Sequence, residues 1–166
     1  AEILARRGAK PAADATPQAA FLVFDTESVP NGRLLQRIKY PTEGLTAEEA
    51  VARAQAEARE LSKDGSDFLP VTFQTPVAVC VLRVAGDFTI QALAALDAPH
   101  FRTEVMTQQF WKGVSRYNRA KLVTFNGRGF DLPLLELAAY DYGCSARDYF
   151  HNSRNRYQGN HIDLFD

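Results

Sequence analysis

Three acidic residues in this chain stand where they could do chemistry together. Asp25 and Glu27 close an apolar run, Phe21-Leu22-Val23-Phe24, in the order Asp-Thr-Glu. Far downstream, Asp131 follows a second apolar run, Lys121–Phe125, across the loop Asn126-Gly127-Arg128-Gly129-Phe130. Side chains on a strand alternate sides, so Asp25 and Glu27 point the same way, roughly 6–7 Å apart along the strand. Two carboxylates that close to a hydrophobic core repel each other, and each resists leaving water. A divalent cation relieves both costs, and carboxylate oxygens are what Mg²⁺ or Mn²⁺ prefers. The plainer reading is that acids end strands because the chain is leaving the core. Asp131 has a plain reading of its own, a helix N-cap before Pro133.

The elements that must position these acids are legible in order. The Val- and Phe-rich run at 21–27 predicts a strand buried on both faces, ended by the turn Pro30-Asn31-Gly32. Thr46 and Glu49 form a capping box. Ala47, Ala50, Val51, Ala54, Ala58 and Leu61 follow at helical spacing, so a shallow alanine-faced helix is expected as an insertion over about 45–64. Prolines 70 and 76 keep the stretch between them out of a central strand. Val77–Leu82 and Phe88–Leu93 then read as an antiparallel hairpin beside the first strand, with Cys80 as a small buried residue. A helix from Thr103 to Tyr117 puts Met106, Phe110 and Val114 on one face, with Trp111 beside them as core. Lys121–Phe125 is a fourth strand, and Asp131-Leu132-Pro133 opens a helix that ends at Gly143. Leu34–Tyr40 is of mixed character, and Ser145–Asn160 reads as a polar stretch rich in Arg, Asn and aromatics. The arrangement is mixed α/β with a three-layer tendency. Residues 1–20 read as an arm before a single domain spanning 21–166.

Composition narrows the function classes. A net charge of −1 gives no global basic field, so contact with nucleic acid must be local. The two cysteines, Cys80 and Cys144, have neither metal-ligand nor disulfide-framework spacing. No apolar segment approaches the roughly 20 residues needed to cross a bilayer, and the expected location is cytoplasmic, with no membrane partner.

The two acidic segments together resemble the first and second motifs of the DEDD 3′–5′ exonucleases. Phe24-Asp25-Thr26-Glu27 looks like the Asp-x-Glu motif, and Thr124–Leu135, with Asn126-Gly127-Arg128-Gly129-Phe130-Asp131 at its centre, looks like the second. The similarity is nearest to predicted exonucleases related to the proofreading domain of family-B DNA polymerases. Phe68-Leu69-Pro70, the stretch around Asn152–Tyr157 and His161-Ile162-Asp163-Leu164 also fit that group. The resemblance implies a ribonuclease-H-like fold: a mixed sheet with an antiparallel hairpin, flanked by helices in three layers. It departs in one respect. The family's third motif, a Tyr or His four residues before a final Asp, has no counterpart after Asp131 and is expected beyond Asp166, so the domain is expected to be short at its C-terminus.

What the resemblance implies chemically is hydrolysis of phosphodiester bonds at the 3′ end of single-stranded DNA, or less readily RNA, to nucleoside monophosphates. Two Mg²⁺ or Mn²⁺ ions about 4 Å apart would be held by Asp25, Glu27 and Asp131. Thr26 would hold the terminal nucleotide. Asn126 and Phe130 would make a hydrogen bond and a stacking or wedging contact with the penultimate base, unless Phe130 is a core anchor for its helix. Arg154, Arg156, Tyr157 and His161 are candidate contacts to phosphates or bases, with a solvated loop as the alternative for each. A non-catalytic ribonuclease-H-like module binding nucleic acid or protein is the alternative for the whole chain. Either nuclease reading demands that the side chains of residues 25, 27 and 131 converge.

Overall fold

The structure is a computed structural model that describes residues 19–166 apart from 156 and 158. The arm expected over 1–20 therefore lies outside the described residues except for its last two, and these do not behave as an arm. Ala19 is buried, and Ala20 is bonded through its N–H to Val84 and through its carbonyl to Lys121.

Five strands form one sheet. They are β1 (Phe21–Pro30), β2 (Gln74–Val84), β3 (Ile90–Ala95), β4 (Lys121–Thr124) and β5 (His161–Asp163), in the spatial order β3-β2-β1-β4-β5. The first three pair antiparallel, and β4 and β5 join parallel to β1. Helices α1 (Gly32–Ile38) and α2 (Ala47–Leu61) follow β1. Helix α3 (Thr103–Arg116) precedes β4, and α4 (Asp131–Asp141) and α5 (Arg147–Asn152) lie between β4 and β5. This is the mixed α/β, ribonuclease-H-like arrangement the two motifs imply.

The main core lies between the sheet and α3, α4 and α5. From β1 it takes Leu22 and Phe24, the inward row of the alternation; α3 supplies Met106, Phe110, Trp111 and Val114, α4 Leu132 and Leu135, and α5 Tyr149. Phe24 meets Phe110 edge-on with ring centroids 4.9 Å apart, an arrangement the ring quadrupoles favour. The Trp111 indole N–H donates to the Leu135 carbonyl at 3.1 Å and the Tyr149 hydroxyl to Glu136 at 2.7 Å, so both of these polar tips are satisfied.

The opposite face of the sheet is open. Asp25, Glu27, Cys80 and Leu93 are exposed, and Val23 and Leu82 only half-buried. The described residues thus form two layers rather than three, β1 is buried on one face rather than both, and Cys80 is exposed rather than buried. The long apolar run hid this because Phe21 and Val23 continue it on the face that the described helices leave open.

Two further differences have local causes. Pro76 lies inside β2, where a strand break was expected. At that point β2 pairs with β1 only, because β3 joins from Cys80 onward, and the register shifts between Glu27 and Ser28. An edge segment with a bulge is where a strand tolerates proline. The mixed segment at 34–40 is helix α1. Its start is fixed by the Asn31 side chain accepting from the Leu34 N–H at 3.0 Å, a cap that was legible only as a turn signal.

The expected capping box is present. Thr46 accepts from the Glu49 N–H at 3.2 Å, and Glu49 accepts from the Thr46 N–H at 2.7 Å. Helix α2 buries Ala50 and Ala54 in a second, separate core with Leu35, Tyr40 and Leu69. Leu69 leads into a 3₁₀ turn at Val71–Phe73 that feeds β2. The α1–α2 unit is therefore bound to the segment just before β2 and stands beside the sheet.

Leu135 is fully buried in the main core, so Leu135→Ala should cost on the order of 2–5 kcal/mol. Urea unfolding checks this: the midpoint is expected to fall while the slope of the transition stays unchanged.

Candidate functional site

Pairing between β1 and β4 stops at Val23 opposite Val123, but β1 continues to Pro30 bonded to β2 alone. The two parallel strands separate there. An open cavity of about 590 Å³ lies in the gap, lined by Asp25, Thr26, Asn126, Phe130 and Asp131 together with Phe68–Val71, Phe125 and Phe165. Crevices at the carboxyl ends of parallel strands are where open α/β sheets bind ligands.

The loop from Asn126 to Phe130 is folded by three devices. Asn126 takes a left-handed conformation, φ +60°, which Asn tolerates better than most residues. Gly127 passes so close to Thr124 that a Cβ would fall 2.3 Å from its hydroxyl oxygen, so no larger residue fits. Asp163, at the end of β5, accepts from the Asn126 N–H at 2.6 Å, the Arg128 N–H at 2.8 Å and the Phe165 N–H at 3.2 Å. These backbone donors hold its carboxyl below the usual range despite the opposing cost of burial. Asp163 is the positioning residue that sequence reasoning passed over. Its signal was its place in His161-Ile162-Asp163-Leu164, but nothing local announces which loop it will bind.

Asp131 begins α4 without capping it: the N-cap position is Phe130, and no side chain caps that end. The Asp131 carboxylate is 4% exposed and accepts a 2.6 Å hydrogen bond from the Thr26 hydroxyl. Burial, and secondarily the charge of Asp25, push its pKa up, while the Thr26 bond pulls the other way. Asp25 and Asp131 thus face each other electrostatically across one cavity. Thr26 belongs to the inward row of β1, and Asp25 to the outward row. Both acids nonetheless border the same cavity.

Glu27 shares the outward row with Asp25 but lies outside the cavity lining, exposed on the open face. Of the three acids expected to converge, Asp25 and Asp131 line one cavity and Glu27 does not. Among the described residues no group of three His, Cys, Asp or Glu side chains is gathered as a metal cluster.

The remaining candidates separate cleanly. Thr26, Asn126 and Phe130 line the cavity. Phe130 is half-buried and leans on Phe68, ring centroids 5.3 Å apart, so it both anchors its helix and presents a face. Arg154 is turned to Glu136 at 3.2 Å and lies over the Phe150 ring; Tyr157 is 94% exposed; neither lines the cavity. Arg156 lies outside the described residues. His161 is a correction. Its ring is buried, shares a 2.8 Å hydrogen bond with Thr124 and leaves Nδ1 without a partner. Burial first, then the nearby Arg128 charge, lower its pKa to about 4. It is a neutral core histidine and not a surface contact.

A mixed sheet in the order β3-β2-β1-β4-β5, with its helices packed on one face, defines the chain as an α/β domain of ribonuclease-H-like arrangement. The family model described as a predicted 3′–5′ exonuclease related to the exonuclease domain of PolB matches residues 66–166, and the chain belongs to that family. The match contains Asn126, Phe130 and Asp131 and begins after β1, so Asp25 and Glu27 precede it. A search of curated proteins gives no match. Among solved structures, E. coli Exonuclease I bound to a dA16 oligonucleotide is 11% identical with a TM-score of 0.44. The same enzyme with a dT13 oligonucleotide gives the same values, and an ExoI/SSB-Ct complex is 11% identical with a TM-score of 0.45. Each alignment covers 89% of this chain and 28% of the other, so the chain spans little more than a quarter of the proteins it matches.

Two outcomes follow from the titrating groups. At pH 7 the ionised Asp131 carries its full burial and repulsion penalty, because its folded pKa is raised above the unfolded one. Asp131→Asn keeps an acceptor for Thr26 and removes the charge. Its melting temperature is expected to rise by a few degrees, about 2–4 °C per kcal/mol relieved, while Mn²⁺ should stabilise the parent more than the variant. His161 acts oppositely. Its folded pKa is depressed, so its contribution to stability is complete above pH 6.5 and is lost as pH falls towards about 4, at most roughly 1.4 kcal/mol per pH unit. Melting scans across that window should show His161→Phe with a flatter dependence than the parent.

Proposed function

We propose that this chain is the catalytic part of a metal-dependent 3′–5′ exonuclease that trims single-stranded DNA to nucleoside monophosphates. The observation that carries the reading is the pairing of Asp25 with the buried, charge-disfavoured Asp131 in one open cavity where β1 and β4 separate. Membership of the exonuclease family supports it.

The donor chemistry of these two residues fits a hard divalent cation: carboxylate oxygens, close in space, one of them pushed towards its neutral form unless a positive charge arrives. Asp25 and Asp131 would hold Mg²⁺ or Mn²⁺, with Glu27 reaching the site from the open face of β1. Bound cations of this kind supply an activated water and stabilise the leaving oxygen of a phosphodiester. The protein's own contributions are positional. Thr26 fixes the Asp131 carboxylate through its hydroxyl. Asn126 is held at the cavity wall by the bond from its N–H to Asp163, and Phe130 offers a flat apolar face suited to a base of any identity. Among the described residues no Lys or Arg lines the cavity, so cations would offset the repulsion between its carboxylates and a phosphate. Among the described tyrosines, Tyr149 is buried and donates to Glu136 at 2.7 Å, so it is unsuited to orient water at the site. A general base is expected from the family's third motif.

A second reading, a nucleic-acid-binding module without catalysis, is favoured by one observation: Glu27 stands outside the cavity and the described residues gather no third acid there.

The test is trimming of a labelled single-stranded oligonucleotide in Mn²⁺ by the natural-length protein. Progressive shortening from the 3′ end is expected, reduced at least about a hundredfold by Asp25→Ala, because the residue would hold the ions that stabilise the transition state. Equal trimming by Asp25→Ala would overturn the enzyme reading. Binding of the strand without any trimming would favour the module.

A further inference from the structure

Away from the acids, a second cavity of about 260 Å³ lies between α3 and the strands β1, β2 and β3. Its walls are apolar, with Leu22 from β1, Val81 from β2, Ala92 and Ala94 from β3, and Val114 from α3. It shares no lining residue with the acidic cavity.

Small residues hold this space open. Gly113 borders it from the last turn of α3, and a Cβ built there would meet no atom within 4 Å. The backbone at Gly113 is helical rather than left-handed. Neither a special conformation nor a close approach therefore calls for glycine, which is the poorest helix former but for proline. What the missing side chain leaves is room. Ala92 and Ala94 are likewise small at strand positions where β-branched and aromatic residues are favoured.

The polar residues of the lining are Arg83, Gln109 and Tyr117. Arg83 lies over the Tyr117 ring, 5.2 Å from its centroid, and donates to the Tyr117 hydroxyl. Among the described residues Arg83 enters no ion pair. Because the Tyr117 oxygen accepts from Arg83, its own O–H is turned to another acceptor. Gln109 accepts from the Asp97 N–H at 2.9 Å through its carbonyl oxygen, and its NH₂ group remains a donor. Towards a ligand these three residues thus offer donors and a single positive charge.

We propose that this cavity binds a small amphiphilic carboxylate, an aliphatic or aryl-aliphatic acid. Its apolar body fills the space beside Gly113, and its carboxylate pairs with Arg83 and the Tyr117 hydroxyl. A concave, mostly apolar space with a few polar groups is the form that small-molecule sites take. One guanidinium matches one carboxylate in charge and in its paired donors, whereas a phosphate monoester would keep charge uncompensated. A cavity of 150 Å³ takes benzene, so 260 Å³ has room for about ten carbons. The exonuclease reading has no part in this assignment.

Calorimetric titration of the full chain with decanoate, decanol and decyltrimethylammonium tests it. Decanoate should bind saturably, with a Kd at or below the millimolar range. Decanol should bind at least about tenfold more weakly, since a hydrogen bond to a charged group is worth about that factor, and the cation should not bind. Gly113→Leu should abolish decanoate binding while the melting temperature holds or rises. Arg83→Gln should lower decanoate to the level of decanol and leave decanol unchanged, and Arg83→Lys should recover part of the difference. The two Arg83 variants decide the matter even if Gly113→Leu melts early. No saturable decanoate binding, equal affinity for decanoate and decanol, or decanoate binding unmoved in a folded Gly113→Leu would overturn the proposal. So would a dimer that Gly113→Leu dissociates in sedimentation, because the cavity would then belong to a second copy of the chain.

Discussion

One hydrogen bond organises the site: the Thr26 hydroxyl on the Asp131 carboxylate, 2.6 Å long and buried. It joins the first strand to the helix that follows the fourth, and it does so with a group that burial and Asp25 both push towards neutrality. Such an arrangement is costly in an otherwise apolar core, because a buried charge needs compensation that a neutral hydroxyl supplies only in part. A binding site can sustain that cost where a core cannot, since the ligand completes the compensation. The loop before α4 accordingly spends its special conformations, Asn126 in the left-handed region and Gly127 against Thr124, on delivering Asp131 to this place.

Much of this was legible in the chain. Alternation in Phe21–Glu27 placed Asp25 and Glu27 on one side of the strand, and the structure keeps them there. The capping box at Thr46 and Glu49 gave α2 its start because both partners lie within four residues of each other. The same locality made Asp131 recognisable as the first turn of a helix. Its purpose was less legible, because Thr26 is a partner from a distant part of the chain.

What failed to read out depended on tertiary context. The open face of the sheet could not be inferred from an apolar run, since period-two strands and doubly buried strands look alike when both rows happen to be apolar. Pro76 was taken to exclude a strand because nothing in its neighbourhood revealed that β2 is unpaired on one side there. His161 looked like a polar contact among arginines and aromatics. Its burial against Thr124 follows from β5 joining β4 in parallel, a pairing of segments far apart. Glu27 illustrates the limit of strand periodicity, which fixes the side a residue faces but leaves open whether the neighbouring cavity reaches it.

The separate core of α1 and α2 has an evolutionary reading. Leu69 is anchored in that small core and also borders the cavity, so the outer wall of the cleft is carried by a unit that shares little packing with the sheet. Substitutions among its alanines and leucines can move that wall while Asp25, fixed by strand pairing, and Asp131, held by the Thr26 hydroxyl, stay in place. Relatives could therefore drift in the width of the opening they present without rebuilding its acidic floor.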